Sequence, residues 1–426
     1  KNINVIDIQS YLKGVVPNEM PISFGLEALK AQAVAARNYA INAKMSTNYD
    51  LVDTTAAQVY NGANSYRDIS NKAVDETRSI YALYNEKPIM AQYFSTSAGI
   101  TDDWDDVFGD GKPSNNHPYL KARFDKPNQK PITSEADVKK FLTSTTTGID
   151  TNSPKFRWSV EFERSELENV LHTTLQQQSK AGLVSPKYDG DIKLEGLKEI
   201  KPIKRTQSGK ITELEIVAKS GTYTVKKELG IRRVLKKNGA MLPNATFFVE
   251  TEGEEKLSSE EPEKETTGLI KLFDSIDFEK YPKTFKIVGG GFGHGVGMSQ
   301  FGAYNLSKMG KKYPEILNHY YTDIRISTYP ITVLYNDYNI HYKTDFFFDK
   351  NSYETAYLYV DNRKGANEFP FKINDYDFSD TKAVALNRVF KINITQYLKE
   401  GGNLIDFAPL TRENKGKYII YRVELQ

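Results

Sequence analysis

The chain of 426 residues contains no cysteine, which excludes both disulfides and thiolate metal sites. It has no apolar run of the roughly 18 residues that a membrane-spanning helix requires. A surplus of charge is missing as well. The 57 Lys and Arg nearly balance 55 Asp and Glu, and no basic run marks a nucleic-acid surface, so nucleic acid is not an expected partner. The glycine spacings of dinucleotide and phosphate loops are absent too. Tryptophan occurs only twice, against 27 Tyr and 22 Phe. Those rings either fill β-rich cores or give sugars a surface to stack on. With 39% hydrophobic and 26% charged residues the composition suits a folded chain, and the length allows two or more domains.

One stretch stands out, Tyr11 to Ile41, reading YLKGVVPNEMPISFGLEALKAQAVAARNYAI. Its opening is apolar and β-branched (Leu12, Val15, Val16). Glu19 then sits between Pro17 and Pro21, beside Met20. The residues after Pro21 favour a helix. Ser23 is placed to cap it, Glu27 suits its positive N-terminal end, and seven alanines fall between Ala28 and Ala43. A helix with so thin a side wall can pack its backbone close to a neighbour, so it is expected to be buried. Glu19 has two readings. Fixed by two prolines among Val16, Met20 and Ile22, its carboxyl loses solvation, keeps its proton near neutral pH and works as a general acid. Alternatively it is an ordinary carboxylate whose charge meets a helix dipole or a cation.

Residues 1–135 read as mixed α and β. A strand is expected at the start (Ile3, Val5, Ile6, Ile8), implying that any leader or anchor before it has been removed. A loop is expected near Thr54–Asn64 and a helix near Ile69–Ser79. Strands follow at Ile80–Tyr84 and Pro88–Ser95 around an Asn85-Glu86-Lys87 turn. Next come STSAG (95–99) and the run Asp102-Asp103-Trp104-Asp105-Asp106. These carboxylates form either a solvated loop or a calcium site, although the twelve-residue spacing of a calcium loop is absent. Trp104 is a candidate sugar-stacking platform.

Residues 136–285 read as a second α+β lobe. It has an amphipathic helix at Ser165–Gln177, a hairpin turning at Gln207-Ser208-Gly209, and a strand at Thr222–Lys226 leading to Arg232-Arg233. The stretch 251–268 is too polar to bury anything and is expected to be a surface excursion without chemistry. Beyond it, alternating Gly291, Gly293, Gly295 and Gly297 leave one face of an extended segment bare, which admits a flat ligand or another chain. His294 among them either bonds a backbone group or lines a substrate groove. Ser299 can cap a helix running to Met309 and stopping at Gly310, with Pro314 opening the next. Residues 330–426 change to short strands rich in Tyr, Phe and Val, parted by turns such as Asn336-Asp337, Lys364-Gly365 and Gly401-Gly402-Asn403. FKINITQYLKEGGNLIDF (390–407) resembles the strand–helical turn–strand segment of jelly-roll modules. The expected class is α+β: a mixed core from 1–135 and 286–329, an inserted lobe at 136–285, and an all-β sandwich at 330–426.

Five motifs, in order, carry a family resemblance: GVVPNEMPISFGLEALKAQAVAARNYAI, DLVDTTAAQVYNG (50–62), AVDETRSIYALYNEKPIMAQYFSTSAG (73–99), SGKITELEI (208–216) and GGGFGHGVGMSQFGAYNLSKMGKKYPEILNHYYTDIRI (289–326). The chain is similar through them, over residues 1 to about 330, to the SpoIID/LytB family. The resemblance implies a lytic transglycosylase that breaks the bond between N-acetylmuramic acid and N-acetylglucosamine without water, leaving a 1,6-anhydro end. It places the catalytic glutamate on Glu19, which gives a proton to the glycosidic oxygen and then takes one from the sugar's 6-hydroxyl. A hydrolase would usually need a second carboxylate about 5–10 Å away, and Asp102 or Asp103 is nearest by motif.

The matched motifs also offer Gln32, Arg37 and Tyr39 on the alanine-rich helix, Ser95, Thr96 and Ser97 in a serine-rich turn, and His294 and Gln300. With Trp104, these are the expected substrate contacts. At about 100° per residue Gln32 and Tyr39 share a helix face while Arg37 points elsewhere. Arg37 is then a groove cation or an internal salt bridge. Some members hold zinc with cysteines that here become Val52 and Ala57, and many have a histidine where Phe94 stands, so neither a metal nor another cofactor is expected. The family also includes amidase enhancers, which bind the wall and stimulate a partner amidase. The resemblance therefore implies glycan strands as ligand, a wall amidase as the alternative partner, and a place outside the cytoplasm at the cell wall.

Overall fold

The computed structural model describes residues 3–126, 129–132, 134–146, 148–256, 280–335, 340–363, 366, 369–378, 388–407 and 415–426. Residues 251–256 of the expected excursion belong to strand Phe247–Lys256 instead, while its remainder from 257 and the Asn336-Asp337 and Lys364-Gly365 turns lie outside the described residues. The chain divides into two compact units, one of residues 1–93, 116–120 and 302–426 and the other of 94–115 and 121–301. Each is described by itself.

The first unit opens with helix α1 (Ile8–Glu19), not with the expected strand. Asp7 decides this: its carboxylate accepts the N–H groups of Gln9 and Ser10 at 3.0 and 3.1 Å. That cap satisfies donors a helix start would otherwise leave orphaned. The β-branched Val15 and Val16 are carried into the helix because both are fully buried. Pro17 lies inside α1, where it cannot donate to the Lys13 carbonyl, and the helix ends two residues later.

A single 3₁₀ turn (Ile22–Phe24) and Gly25, at φ +88°, lead into helix α2 (Leu26–Asn42). The N-cap is therefore Gly25 rather than Ser23, since the turn buries Phe24 against the Tyr304 ring at 4.6 Å. As expected, α2 is buried: Ala28, Ala31, Ala33, Ala35 and Ala36 are inaccessible or nearly so. It packs against α1 and against helix α3 (Asp68–Asp75).

Strand β1 (Ile80–Tyr84) pairs antiparallel with Arg325–Thr328, Ile80 facing Thr328. The sheet continues through Tyr418–Leu425 and Ala356–Asp361 to Val389–Asn393, with Ile331–Leu334 also on Tyr418–Leu425. A second, four-stranded sheet holds Tyr342–Phe348, Gly401–Phe407, Phe371–Ile373 and Tyr376–Phe378. Aromatic packing joins the two where Phe407 meets Tyr421 at 4.2 Å, while Phe371 stacks on Phe378 at 4.6 Å within the second sheet. The strand–helical turn–strand pattern is present as Val389–Asn393, Thr395–Tyr397 and Gly401–Phe407.

The second unit has its largest core under the helix Arg164–Lys180, where Leu167, Leu171 and Leu175 meet Leu214, Ile216 and Phe285. The expected hairpin forms as Leu197–Arg205 and Ile211–Ala218. Strands Phe247–Lys256, Lys280–Gly289 and Trp158–Glu163 make a separate antiparallel sheet. Helix and strand are thus interleaved in both units, and the fold class is α+β.

Candidate active site

Glu19 is the last residue of α1 and half-buried. Its Oε1 accepts the N–H of Val59 at 2.6 Å, which ties the 11–41 motif to the 50–62 motif. Burial pushes its pKa above the ordinary carboxyl value, and the Val59 bond draws it partly back. The net shift is upward because lost hydration penalises the anion more than one backbone donor stabilises it.

Three tyrosines feel the charge of this carboxyl. The pKa values of Tyr11, Tyr39 and Tyr93 are each raised, by burial first and then by the charge of Glu19. Gln58 orders two of them: Tyr11 donates to its Oε1 at 3.1 Å, and its Nε2 donates to the Tyr93 hydroxyl at 2.9 Å. Gln58 Nε2 also reaches the Ala36 carbonyl of α2 at 3.3 Å. Tyr11 stacks on Tyr60 at 5.4 Å, and Tyr39 meets Tyr93 edge-on at 6.5 Å. Gly14 makes room for this, since a Cβ there would lie 2.4 Å from the Tyr60 ring. The result is a carboxyl with raised proton affinity among phenols that stay neutral, apolar on their faces and polar at their tips.

Of the residues expected to bind substrate, Tyr39 alone shares this setting with Glu19 among those of the first unit. Arg37 is fully buried and donates to the carbonyls of Ile80 and Val74 at 3.0 and 3.4 Å. Burial lowers its pKa to about 10. It staples α2 to α3 and β1 rather than facing a groove as a cation. Gln32 is also fully buried. The alanine-rich helix hides all its faces near these positions, so helix-face geometry alone misplaces them. Gln58 and Tyr93 were missed as site residues. Their one signal was membership in the matched 50–62 and 73–99 motifs. A cleft of about 690 Å³ elsewhere in the first unit is lined by Lys311, His319, Arg325 and Glu424, not by Glu19.

The other expected contacts belong to the second unit. Thr96 and Ser97 are buried: Thr96 Oγ1 shares a bond with Ser153 Oγ at 2.8 Å, and the Ser97 N–H donates to Asp150 Oδ2 at 2.6 Å. Both side chains are internal, which corrects their expected role as sugar contacts. Ser95 is half-buried and Gln300 buried. Trp104 and His294 are half-buried.

The acidic run is not a solvated loop. Asp102 is buried against Lys210 at 3.4 Å, accepts from Thr206 at 2.8 Å and from Ser208, and its N–H donates to the Gly295 carbonyl at 2.8 Å. Burial raises its pKa and Lys210 opposes the rise. Lys210 in turn donates to Asn244 Oδ1 at 2.6 Å. Asp102 is therefore committed to an internal ion pair and cannot serve as a second, substrate-facing carboxylate.

This clamp also explains the glycines. Gly295, at φ +89°, leaves space where a Cβ would sit 2.4 Å from Asp102 Oδ2, and at Gly291 a Cβ would press on the Thr96 carbonyl at 3.0 Å. The bare face receives this chain's own segments. Gly295→Ala is expected to destabilise the fold by about 1–3 kcal/mol from the left-handed backbone alone, read as a lower midpoint in urea unfolding.

Asp150 is fully buried and accepts from Ser97 N–H and Ser299 Oγ. Burial, and then the nearby charge of Asp125, pushes its pKa to about 8; Asp125 itself rises to about 6, also through burial. Raised carboxyl pKa values favour the folded state most below the unfolded value near 4, and that stability is lost as pH rises through the folded values. Thermal stability is expected to decline between about pH 4 and about pH 8. Asp150→Asn keeps an acceptor oxygen for Ser97 and is expected to flatten this decline in melts across that range.

Comparison with known proteins covers both units. Residues 1–84 match the family described as Stage II sporulation protein (SpoIID), and residues 107–297 match a domain of unknown function (DUF8618). The chain is 33% identical over 326 residues, 75% of its length, to a Bacillus subtilis (strain 168) protein named Amidase enhancer, of which it spans 40%. It is 27% identical over 347 residues to Stage II sporulation protein D of the same organism, covering 77% of this chain and 76% of that protein. An uncharacterized protein of Brachyspira hyodysenteriae is 28% identical over 337 residues, 77% of this chain and 68% of its own length. Val52, Ala57 and Phe94 carry no donor atoms, so these positions do not fit a zinc ion.

Proposed function

The chain belongs to the SpoIID family, and from that premise we propose that it is a peptidoglycan lytic transglycosylase acting outside the cytoplasm, with Glu19 as the single general acid and base. The observation that carries this reading is the Glu19 carboxyl, half-buried, raised in pKa and oriented by the Val59 N–H. An N–H donated to Oε1 favours the proton on Oε2, so the acid has a defined donor oxygen. In the first half of the reaction Oε2–H protonates the bridging oxygen between N-acetylmuramic acid and N-acetylglucosamine, and the glycosidic bond breaks. In the second half the carboxylate accepts the proton of the muramyl 6-hydroxyl as that oxygen bonds to the anomeric carbon. One carboxyl regains its proton and no water is consumed. Burial raises the proton affinity of the carboxyl above the ordinary glutamate range, which suits it to act as an acid.

A non-hydrolytic course agrees with the state of the two candidate second carboxylates: Asp102 is buried in an ion pair with Lys210, and the half-buried Asp103 accepts the Ala122 N–H at 2.5 Å. The test is to incubate the purified protein with glycan strands stripped of peptides and to analyse the ends by mass spectrometry. Anhydro-muramyl ends are expected. The second reading, a wall-binding enhancer of an amidase, is favoured by the name of the 33% identical relative. It predicts no new ends from any glycan, together with faster peptide release by an added wall amidase.

A further inference from the structure

Lys210, Asn244 and Asp102 meet inside the second unit, where they are 1%, 3% and 2% exposed. Lys210 Nζ donates to Asn244 Oδ1 at 2.6 Å and lies 3.4 Å from Asp102 Oδ2. A carbonyl bond is about 1.2 Å long, so the amine lies within about 4 Å of the Asn244 amide carbon. A side-chain amine, an amide carbon and a carboxyl beside them are the parts of an acyl transfer. The chemistry at Glu19 uses none of them.

Each group is held in a defined pose. Asn244 Oδ1 also accepts the Thr246 N–H at 2.9 Å, a backbone donor placed where negative charge would develop on that oxygen. Asn244 Nδ2 donates to the Gly293 carbonyl at 3.0 Å, which fixes the plane of the amide. Asp102 Oδ1 is taken by the hydroxyls of Thr206, at 2.8 Å, and Ser208, and Oδ2 is the oxygen toward Lys210. Next to the site the two segments are joined by their backbones, the Ile211 N–H donating to the Ala245 carbonyl at 2.9 Å. Glycines keep the space clear: a Cβ on Gly295 would lie 3.1 Å from Lys210 Nζ, and one on Gly291 would lie 3.1 Å from Asn244 Nδ2. Moving a proton from Lys210 to Asp102 replaces two buried charges by two neutral groups, which desolvation favours. Burial raises the Asp102 pKa in that sense, although Lys210 opposes the rise. The neutral amine so formed is the nucleophilic one.

We propose that Lys210 and Asn244 join in an intramolecular amide bond, with Asp102 carrying the protons. Lys210 Nζ, having given one proton to Asp102 Oδ2, attacks Asn244 Cγ with its lone pair, and the carbonyl electrons move onto Oδ1 beside the Thr246 N–H. Asp102 passes its proton to Nδ2. The carbonyl re-forms, the Cγ–Nδ2 bond breaks with its electrons on nitrogen, and ammonia leaves. A second Nζ proton returns to Asp102, so no oxidant or further reactant is needed. Folding supplies the proximity that makes so slow a reaction feasible. The bond would tie the hairpin turn before Ile211–Ala218 to the segment entering strand Phe247–Lys256, across 34 residues of sequence. In a chain without cysteine it does what a disulfide does, constraining the unfolded state, and no reductant breaks it.

The test is the intact mass of the denatured full chain, followed by digestion and mass spectrometry of the peptides. The expected mass is one ammonia below that of the sequence, with one branched peptide joining Lys210 to Asn244. Lys210→Arg keeps a cation beside Asp102, and it is expected to restore the sequence mass and lower the midpoint of urea unfolding. Asp102→Asn retains an oxygen for Thr206 and Ser208 and is expected to leave Lys210 and Asn244 unjoined in the digest. A parent mass equal to the sequence mass overturns the proposal. So does a branched peptide on Asp102, formed with loss of water. Asn61 and Asn238 each precede a glycine and can lose ammonia by cyclising. A deficit mapped to those positions, with no branched peptide, overturns the proposal as well. A Lys210–Asn244 bond formed undiminished in Asp102→Asn overturns the role given to that carboxyl.

Discussion

Glu19→Gln is expected to abolish anhydro-muramyl ends, with a rate loss of about 10²–10⁴-fold, the usual contribution of a positioned general acid. The amide retains an oxygen that can accept the Val59 N–H, so the loop at 50–62 should stay docked and the melting temperature should hold. A fall in activity with unchanged stability separates chemistry from architecture. Glu19→Asp makes the complementary point: it keeps the acid but withdraws it by one methylene, and geometry then limits the rate. The parent's pH profile carries the same information. Because burial raises the Glu19 pKa, the acidic form persists above the ordinary carboxyl range. The alkaline limb of kcat/KM should therefore lie above the value for a solvent-exposed glutamate.

The second large effect is expected at Lys30, which takes no part in the chemistry proposed for Glu19. Its side chain is 2% exposed and pairs with Glu76 at 2.7 Å, Asp349 at 2.9 Å and Glu27 at 3.4 Å. The Tyr313 ring lies 5.8 Å from its Nζ. Burial alone would lower the Lys30 pKa, but the bonds it donates to Glu76 and Asp349 outweigh it and the net shift is upward. Lys30→Met strands three carboxylates around an apolar side chain. Breaking a buried pair by removing one partner typically costs about 3–5 kcal/mol, and the loss should appear directly in urea unfolding at neutral pH. The sign with pH is fixed by Asp349, whose pKa is lowered on balance: burial raises it, while Lys30 and Ser352 pull it further down. Stability from a depressed carboxylate is present above its unfolded pKa and lost as pH falls. The gap between parent and Lys30→Met should therefore narrow as pH falls below the ordinary aspartate value of 3.8. Asp349 comes from the strand-rich stretch after residue 330, so this variant also measures how firmly that stretch is bound to α2.

Much of the scaffold was legible because its signals are local. Alanine spacing marked α2 as a buried helix, Gln207-Ser208-Gly209 marked a hairpin, and Gly310 with Pro314 marked the break between the helices Gln300–Lys308 and Tyr313–Tyr320. What failed depended on distant partners. Ile3, Val5, Ile6 and Ile8 argued for a strand, but the Asp7 cap starts α1 at Ile8, and the packing of that helix on α2 and α3 overrides the local preference. Arg37 looked like a groove cation because nothing near it in sequence shows that Ile80 and Val74 present carbonyls to it. The carboxylates at 102–106 looked solvated because Lys210, Thr206 and Ser208 come from a hairpin far along the chain.

At the site the pattern is similar. Glu19 was visible through its flanking prolines and its motif. The parts that set its surroundings, the Val59 N–H and the Gln58 side chain that bridges Tyr11 and Tyr93, come from a loop without periodicity. Spacing rules have no purchase there, and only three-dimensional packing reveals them.

The most direct measurement is cleavage of peptide-free glycan strands in water enriched in heavy oxygen. If the muramyl 6-hydroxyl is the nucleophile and Glu19 handles the proton, every new end is anhydro and none carries the label. Reducing ends bearing heavy oxygen would mean that water attacks the anomeric carbon, and the single-carboxyl account would then be wrong.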